Sequence, residues 1–233
     1  MTDLVPDIHD IRIFQKLGRL DGKSLETADQ LLLILPARPR ATDFQKIPQG
    51  RKLQAVMRKH PGDATPAFTS RLSNNKQTLV VAGKIADSAG AFEQLTLGRK
   101  LVAAATSQKA ASLGICTIGF DKEAEARVVS NVLAAALAAA STLPSYKSKN
   151  PPARIKSIRL LGLADTLDTS RTEAEAKGNN LARWLTAQPP NKLDAKSYAA
   201  LTRQMAKDRG WQFKRLGVKD LESLQAGAFL AVA

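Results

Sequence analysis

The chain has 233 residues, 44% of them apolar and 24% charged, a balance that provides for a buried core and excludes wholesale disorder. Its single cysteine, Cys116, excludes an intrachain disulfide, and its longest apolar runs, 31–36 and 132–140, fall well short of the roughly 20 residues that cross a bilayer. A net charge of +14 is the strongest anomaly, because such a field attracts polyanions.

In chain order, the first ten residues carry acids where a signal peptide would carry a basic region, and no apolar stretch follows them, so export by that route is not expected. Residues 31–35, Leu-Leu-Leu-Ile-Leu before Pro36, are too few for a typical helix and suit a central strand buried on both faces. Residues 36–50 read as a loop, and 47–59 contain a short basic helix with Leu53, Val56 and Met57 inward. An edge strand is expected over 67–72, and buried strands over 77–82, 113–118 and 155–161. Cys116 lies within 113–118 and packs in the core. Between strands, 91–111 places Leu97, Leu101 and Ala104 on one helical face. Asp121 caps the following helix, where Leu133 and Leu137 lie four apart in an alanine-rich run that permits close approach to a sheet. This alternation predicts an α/β layer sandwich.

The stretch 142–152 is linker-like in its Pro, Ser and Lys content, but the strand after it needs partners, so the first domain is assigned to residues 1–165. Ser170-Arg-Thr-Glu173 fits a capping box, opening a helix with Ala174, Leu181, Trp184 and Leu185 on its apolar face. This helix, within 166–188, joins two domains and ends at Pro189-Pro190. Asp194 caps the next helix, whose core face is Tyr198, Leu201 and Met205 and whose end is Gly210. Residues 211–216 alternate as a half-buried strand does, and a short helix over 218–224 precedes the apolar segment 227–233, read as a buried strand.

The catalytic inventory is thin. His9 and His60 are the only histidines, and no Gly-x-Ser-x-Gly elbow, His-x-x-x-His or Cys-x-x-Cys spacing is present, so no catalytic or metal-ligating residue is assigned. Lys84 and Asp87, in Val81-Ala-Gly-Lys-Ile-Ala-Asp-Ser-Ala-Gly90, read as a strand end and loop; the run lacks the Gly-Lys-Ser/Thr ending of a phosphate loop. The basic clusters name Arg51, Lys52, Arg58, Lys59, Lys147, Lys149, Arg154 and Lys156 as candidate contacts to nucleic acid or another polyanion. Against that reading, charge runs are usually solvated faces, and only 5% of residues are aromatic, which disfavours single-strand stacking.

Two ordered motifs carry a resemblance. Asn179-Asn-Leu-Ala-Arg-Trp-Leu185 leads into Gln188-Pro-Pro-Asn191, and Gly227-Ala-Phe-Leu-Ala-Val-Ala233 follows at a matching distance. In this order they are similar to the leucyl aminopeptidases over roughly 170–233, with Ala226-Gly227 where that family often has Met-Gly. The resemblance implies a macro-domain-like three-layer α/β sandwich with a mixed sheet, then a linker helix, then the incomplete start of an α/β peptidase domain over 189–233. It also implies a complete enzyme that releases N-terminal amino acids using two divalent ions, zinc or manganese, in a cytoplasmic homo-hexamer with no membrane partner. The family's metal ligands lie beyond Ala233, so the resemblance implies no cofactor in this chain, and makes the missing peptidase domain a partner. Lys84 and Asp87 stand three apart where the family's metal-binding run has five. With a macro-like fold, their loop is one that faces the cleft where macro domains hold ADP-ribose. Some family members bind DNA, so DNA is a second partner expectation. That leaves two readings of the chain: a non-catalytic portion serving assembly or regulation, and a nucleic-acid-binding module.

Overall fold

A computed structural model describes residues 11–60, 62, 64–107, 110–144, 146 and 155–232. The chain divides between Arg183 and Trp184 into two compact units.

The first unit is built on one six-stranded sheet. Its elements are β1 (Arg12–Leu17), α1 (Gly22–Glu26), β2 (Gln30–Pro36), a 3-10 turn (Asp43–Lys46), α2 (Gly50–Arg58), β3 (Phe68–Arg71), β4 (Leu79–Ile85), α3 (Ala91–Thr106), β5 (Ser112–Thr117), α4 (Lys122–Ala140), β6 (Ser157–Leu163) and α5 (Ser170–Thr186). The spatial order is β1-β6-β5-β2-β4-β3. Five strands run parallel, and only β3, at one edge, runs antiparallel to its neighbour β4. The sheet is therefore mixed, as expected.

β2 lies between β5 and β4 and is buried at every residue, which is why its sequence is an unbroken apolar run instead of an alternation. Its successive side chains feed two cores on opposite faces of the sheet. Leu32 and Ile34 join Val81, Ile115, Ile158 and Leu160 beneath α3 and α4, while Leu31, Leu33 and Leu35 join Val80, Ala82 and Leu161 beneath Leu25 of α1, Leu53 of α2 and Phe44. α3 and α4 approach closely because Gly98 has no side chain. A Cβ there would lie 3.0 Å from Ala135 Cβ and 3.1 Å from Val132 Cα. α4 starts where Asp121 accepts from Ala124 N at 2.8 Å. At its other end, Asn180 Nδ2 donates to Leu137 O and Arg183 Nη1 to Ala138 O, so α5 supplies donors to carbonyls that the helix cannot pair itself.

Sequence reasoning passed over β1 and α1. β1 alternates between half-buried and exposed residues, and α1 has five residues, so neither offers a long apolar signal. α5 begins at Ser170, as expected, but Thr169 Oγ1 makes the hydrogen bond to Glu173 Oε1, at 2.6 Å, one position before the expected cap. Ala174 is exposed and Ala176 buried on that helix, a second departure from its expected face.

The second unit contains the end of α5, then α6 (Ala195–Arg209), α7 (Val218–Ser223) and α8 (Gly227–Leu230). α6 has the expected ends: Asp194 and Ser197 form a reciprocal capping box, and Gly210 closes it at φ +67°. Leu201 is buried, whereas Tyr198 is 51% exposed. Residues 211–217 form no strand, and Gly227–Leu230 is a short helix instead of the expected buried strand. The physical reason is pairing. A strand is held by a neighbour's N–H and C=O groups, and the described residues of this unit include no strand.

Candidate functional site

Among the described residues, the basic candidates lie towards opposite edges of the sheet. Arg51, Lys52 and Arg58 lie on α2, with Lys59 at its C-terminal cap, and all four are exposed. α2 packs beside β3, at one edge of the sheet, and Lys52 Nζ is spent on Arg71 O at 2.7 Å and Ser73 Oγ at 3.2 Å. Lys156 sits at the start of β6, near the opposite edge, where its N donates to Ala111 O and its O accepts from Arg12 N. Lys147, Lys149 and Arg154 lie outside the described residues, as does His9. His60 is an exposed residue just past α2, its Nδ1 3.0 Å from Val56 O. Lys84 Nζ donates to Gly62 O at 3.1 Å and Asp87 is exposed, in keeping with a strand end and loop.

A cleft of about 570 Å³ opens instead at the carboxyl ends of β1, β5 and β6. Three strand exits, each with a glycine of positive φ, line it together with Thr42, Gln45 and Lys46 from the segment after β2: Gly18 after β1, Gly119 after β5 and Gly162 near the end of β6. Gly119 is required twice over, since φ is +85° and a Cβ would lie 2.8 Å from Asp43 Oδ2. Leu20, Ile118, Phe120 and Leu163 give the cleft an apolar lining, and Arg19, Lys46, Lys122 and Glu125 give it charge. The loop 84–90 is not part of this lining.

Glu125, in the first turns of α4, fixes the shape of the cleft. Its Oε1 accepts from Thr117 Oγ1 at 3.0 Å and its Oε2 from Ala164 N at 2.8 Å, strapping the exit of β5 to that of β6. Lys122 forms an ion pair with Asp165, and both side chains are largely exposed, so the pair adds little stability. Arg19 and Lys46 have no acidic partner among the described residues. Cys116 borders the cleft but is buried, and burial together with the charge of Glu125 pushes its thiol up to about 12. It is no nucleophile at neutral pH. Sequence reasoning passed over the cleft, although Ile118-Gly119 carried a signal by placing glycine at the end of the apolar run 113–118.

No family model matches the sequence. Among curated relatives, a probable cytosol aminopeptidase of Prochlorococcus marinus is 35% identical over 105 residues, covering 42% of this chain and 21% of the relative. One from a Synechococcus strain is 29% identical over 216 residues, covering 85% of this chain and 41% of the relative. Among solved structures, a tomato leucine aminopeptidase mutant superposes with a TM-score of 0.70 at 17% identity, over 94% of this chain and 47% of that one. The chain is similar to the leucyl aminopeptidase family over part of those proteins' length. A leucyl aminopeptidase from Trypanosoma brucei, solved with actinonin, has a TM-score of 0.64 over 93% of this chain and shares the same mixed α/β fold. The chain spans less than half the length of the relatives it matches. Among the described residues, no three His, Cys, Asp or Glu side chains gather closely enough to hold a metal ion, and no helix is long and apolar enough to cross a membrane.

Proposed function

We propose that this chain is the N-terminal, non-catalytic portion of a leucyl aminopeptidase-like metallopeptidase, serving assembly or regulation of the enzyme that releases N-terminal amino acids. One observation carries the reading: similarity to the tomato enzyme runs along 94% of this chain yet accounts for 47% of that one. The first unit is then the macro-like domain, α5 the linker helix, and 189–233 the start of the peptidase domain. In this reading peptide cleavage, with its two divalent ions, zinc or manganese, belongs to a partner polypeptide region, the missing peptidase domain. The complete enzyme is a cytoplasmic homo-hexamer in this reading.

The experiment has two arms. The purified chain, supplied with manganese or zinc, is expected to release no 4-nitroaniline from leucine 4-nitroanilide; metal-dependent release would overturn the non-catalytic assignment. An antibody against the chain is expected to recognise, in its source cells, a species roughly twice its length that co-purifies with leucine-releasing activity. Recovery of a 233-residue species alone, without such activity, would overturn the aminopeptidase reading.

A further inference from the structure

We propose that the cleft at the carboxyl ends of β1, β5 and β6 binds a small phosphate-bearing molecule with an apolar or planar body. The inference is independent of whether the chain completes an aminopeptidase, because every residue it uses belongs to the first unit.

Topology places the cleft. β1 and β2 are followed by segments on one face of the sheet, where Leu20, Leu25, Phe44, Ile47 and Leu53 pack. β5 and β6 are followed by segments on the other face, where Val128, Val132 and Ala176 pack. Both β6 and β5 thus have a neighbour whose chain leaves in the opposite direction, β1 for one and β2 for the other. Where connections diverge above the carboxyl ends of parallel strands, a crevice must open, and such crevices are where open α/β sheets hold ligands. The cleft volume of about 570 Å³ suits a small molecule.

Chemistry selects the class. Among the described residues, Glu125 is the only acid lining the cleft, and both its oxygens are occupied by Thr117 and Ala164. Asp43 stands behind Gly119, its Oδ2 accepting from Arg40 N at 2.8 Å, and is not part of the lining. Arg19 and Lys46, from different strand exits, are left without acidic partners among the described residues, and two cations match a phosphate dianion. The N–H groups of Gly119 and Phe120 also have no acceptor among the described residues. Leu20, Ile118, Phe120 and Leu163 offer the surface for the ligand's body.

Titration calorimetry of the 233-residue chain with AMP and with phenyl phosphate tests this, with adenosine and inorganic phosphate as half-ligands. Saturable binding is expected for at least one of the two esters, about ten-fold tighter than for either half-ligand. The double reversal Arg19→Glu/Lys46→Glu and the cleft-filling Ala164→Trp are each expected to weaken it about ten-fold or more, while Arg51→Glu/Arg58→Glu, on α2, changes it by less than about two-fold. Thermal melting confirms that each variant is folded. Absence of saturation by both esters at millimolar concentration overturns the proposal. So does an equal loss in the α2 variant, which would mean attraction by the general field, and so does unchanged affinity in folded Ala164→Trp.

Discussion

Asp29 stands at the entry of β2, and its Oδ2 accepts the amides of Ala111 at 3.1 Å and Ser112 at 2.9 Å. Its Oδ1 takes Lys76 Nζ at 3.1 Å, and its own amide donates to Ser112 Oγ at 2.9 Å. One carboxylate thereby joins the starts of β2 and β5 to the segment that leads into β4. Partial burial pushes its pKa upward, but hydrogen bonds from Ser112 and Lys76 outweigh that and hold it below the ordinary 3.8. A folded-state value below the unfolded one means that Asp29 stabilises the fold fully above the ordinary carboxylate range. That contribution is lost as pH falls through the lowered value. Asp29→Asn is therefore expected to cost about 1–2 kcal/mol at pH 7, in urea unfolding, and progressively less below about pH 4. A deficit that stays constant down to pH 2 would show that the charge of Asp29 contributes nothing.

At the scale of elements, close packing of α3 on α4 depends on Gly98. Valine there must displace the backbone at Val132 or the methyl of Ala135, neither of which is a flexible chain end. Gly98→Val is expected to lower stability by about 1–3 kcal/mol, despite valine's better helix propensity, because overpacking outweighs it. Measured unfolding that leaves the variant as stable as the parent would mean the helices separate freely. Which elements the sequence revealed follows the same logic of packing. β2, β4, β5 and β6 were legible because strands buried on both faces leave apolar runs, and α3 and α4 because each presents one face to the sheet. Trp211-Gln-Phe-Lys-Arg-Leu216 alternates as well as any strand, yet forms none, since alternation reports a preference and pairing requires a partner. The charged lining of the cleft was illegible for a different reason: Arg19 follows β1, Lys46 ends the 3-10 turn and Lys122 and Glu125 open α4, three separate segments that only the strand order brings together.

Across the molecule the two units differ in how much they bury. The first has a double-sided core, in which Leu31, Leu32, Leu33, Ile34, Leu35, Leu113 and Ile115 are wholly inaccessible. In the second, among the described residues, only Leu201 and Ala206 are buried, while Trp211 is 57% and Phe229 is 68% exposed. The guanidinium of Arg209 over Trp211 and that of Arg203 over Phe213 cover aromatic faces without enclosing them. Apolar burial is the main favourable term in folding, and local opening costs less wherever it is scarce. Amides of β2 and β5 are therefore expected to exchange only through global unfolding, with protection on the order of 10³-fold or more, whereas those of 211–217, α7 and α8 exchange with protection below about 100-fold. Hydrogen exchange read by mass spectrometry on peptides from each segment measures this directly. Protection over 211–230 equal to that of β5 would mean that this segment is already sealed in the chain as it stands. Low protection would mean that the segment still has its apolar surface to bury, and a polypeptide that supplies neighbouring strands would be expected to raise its protection.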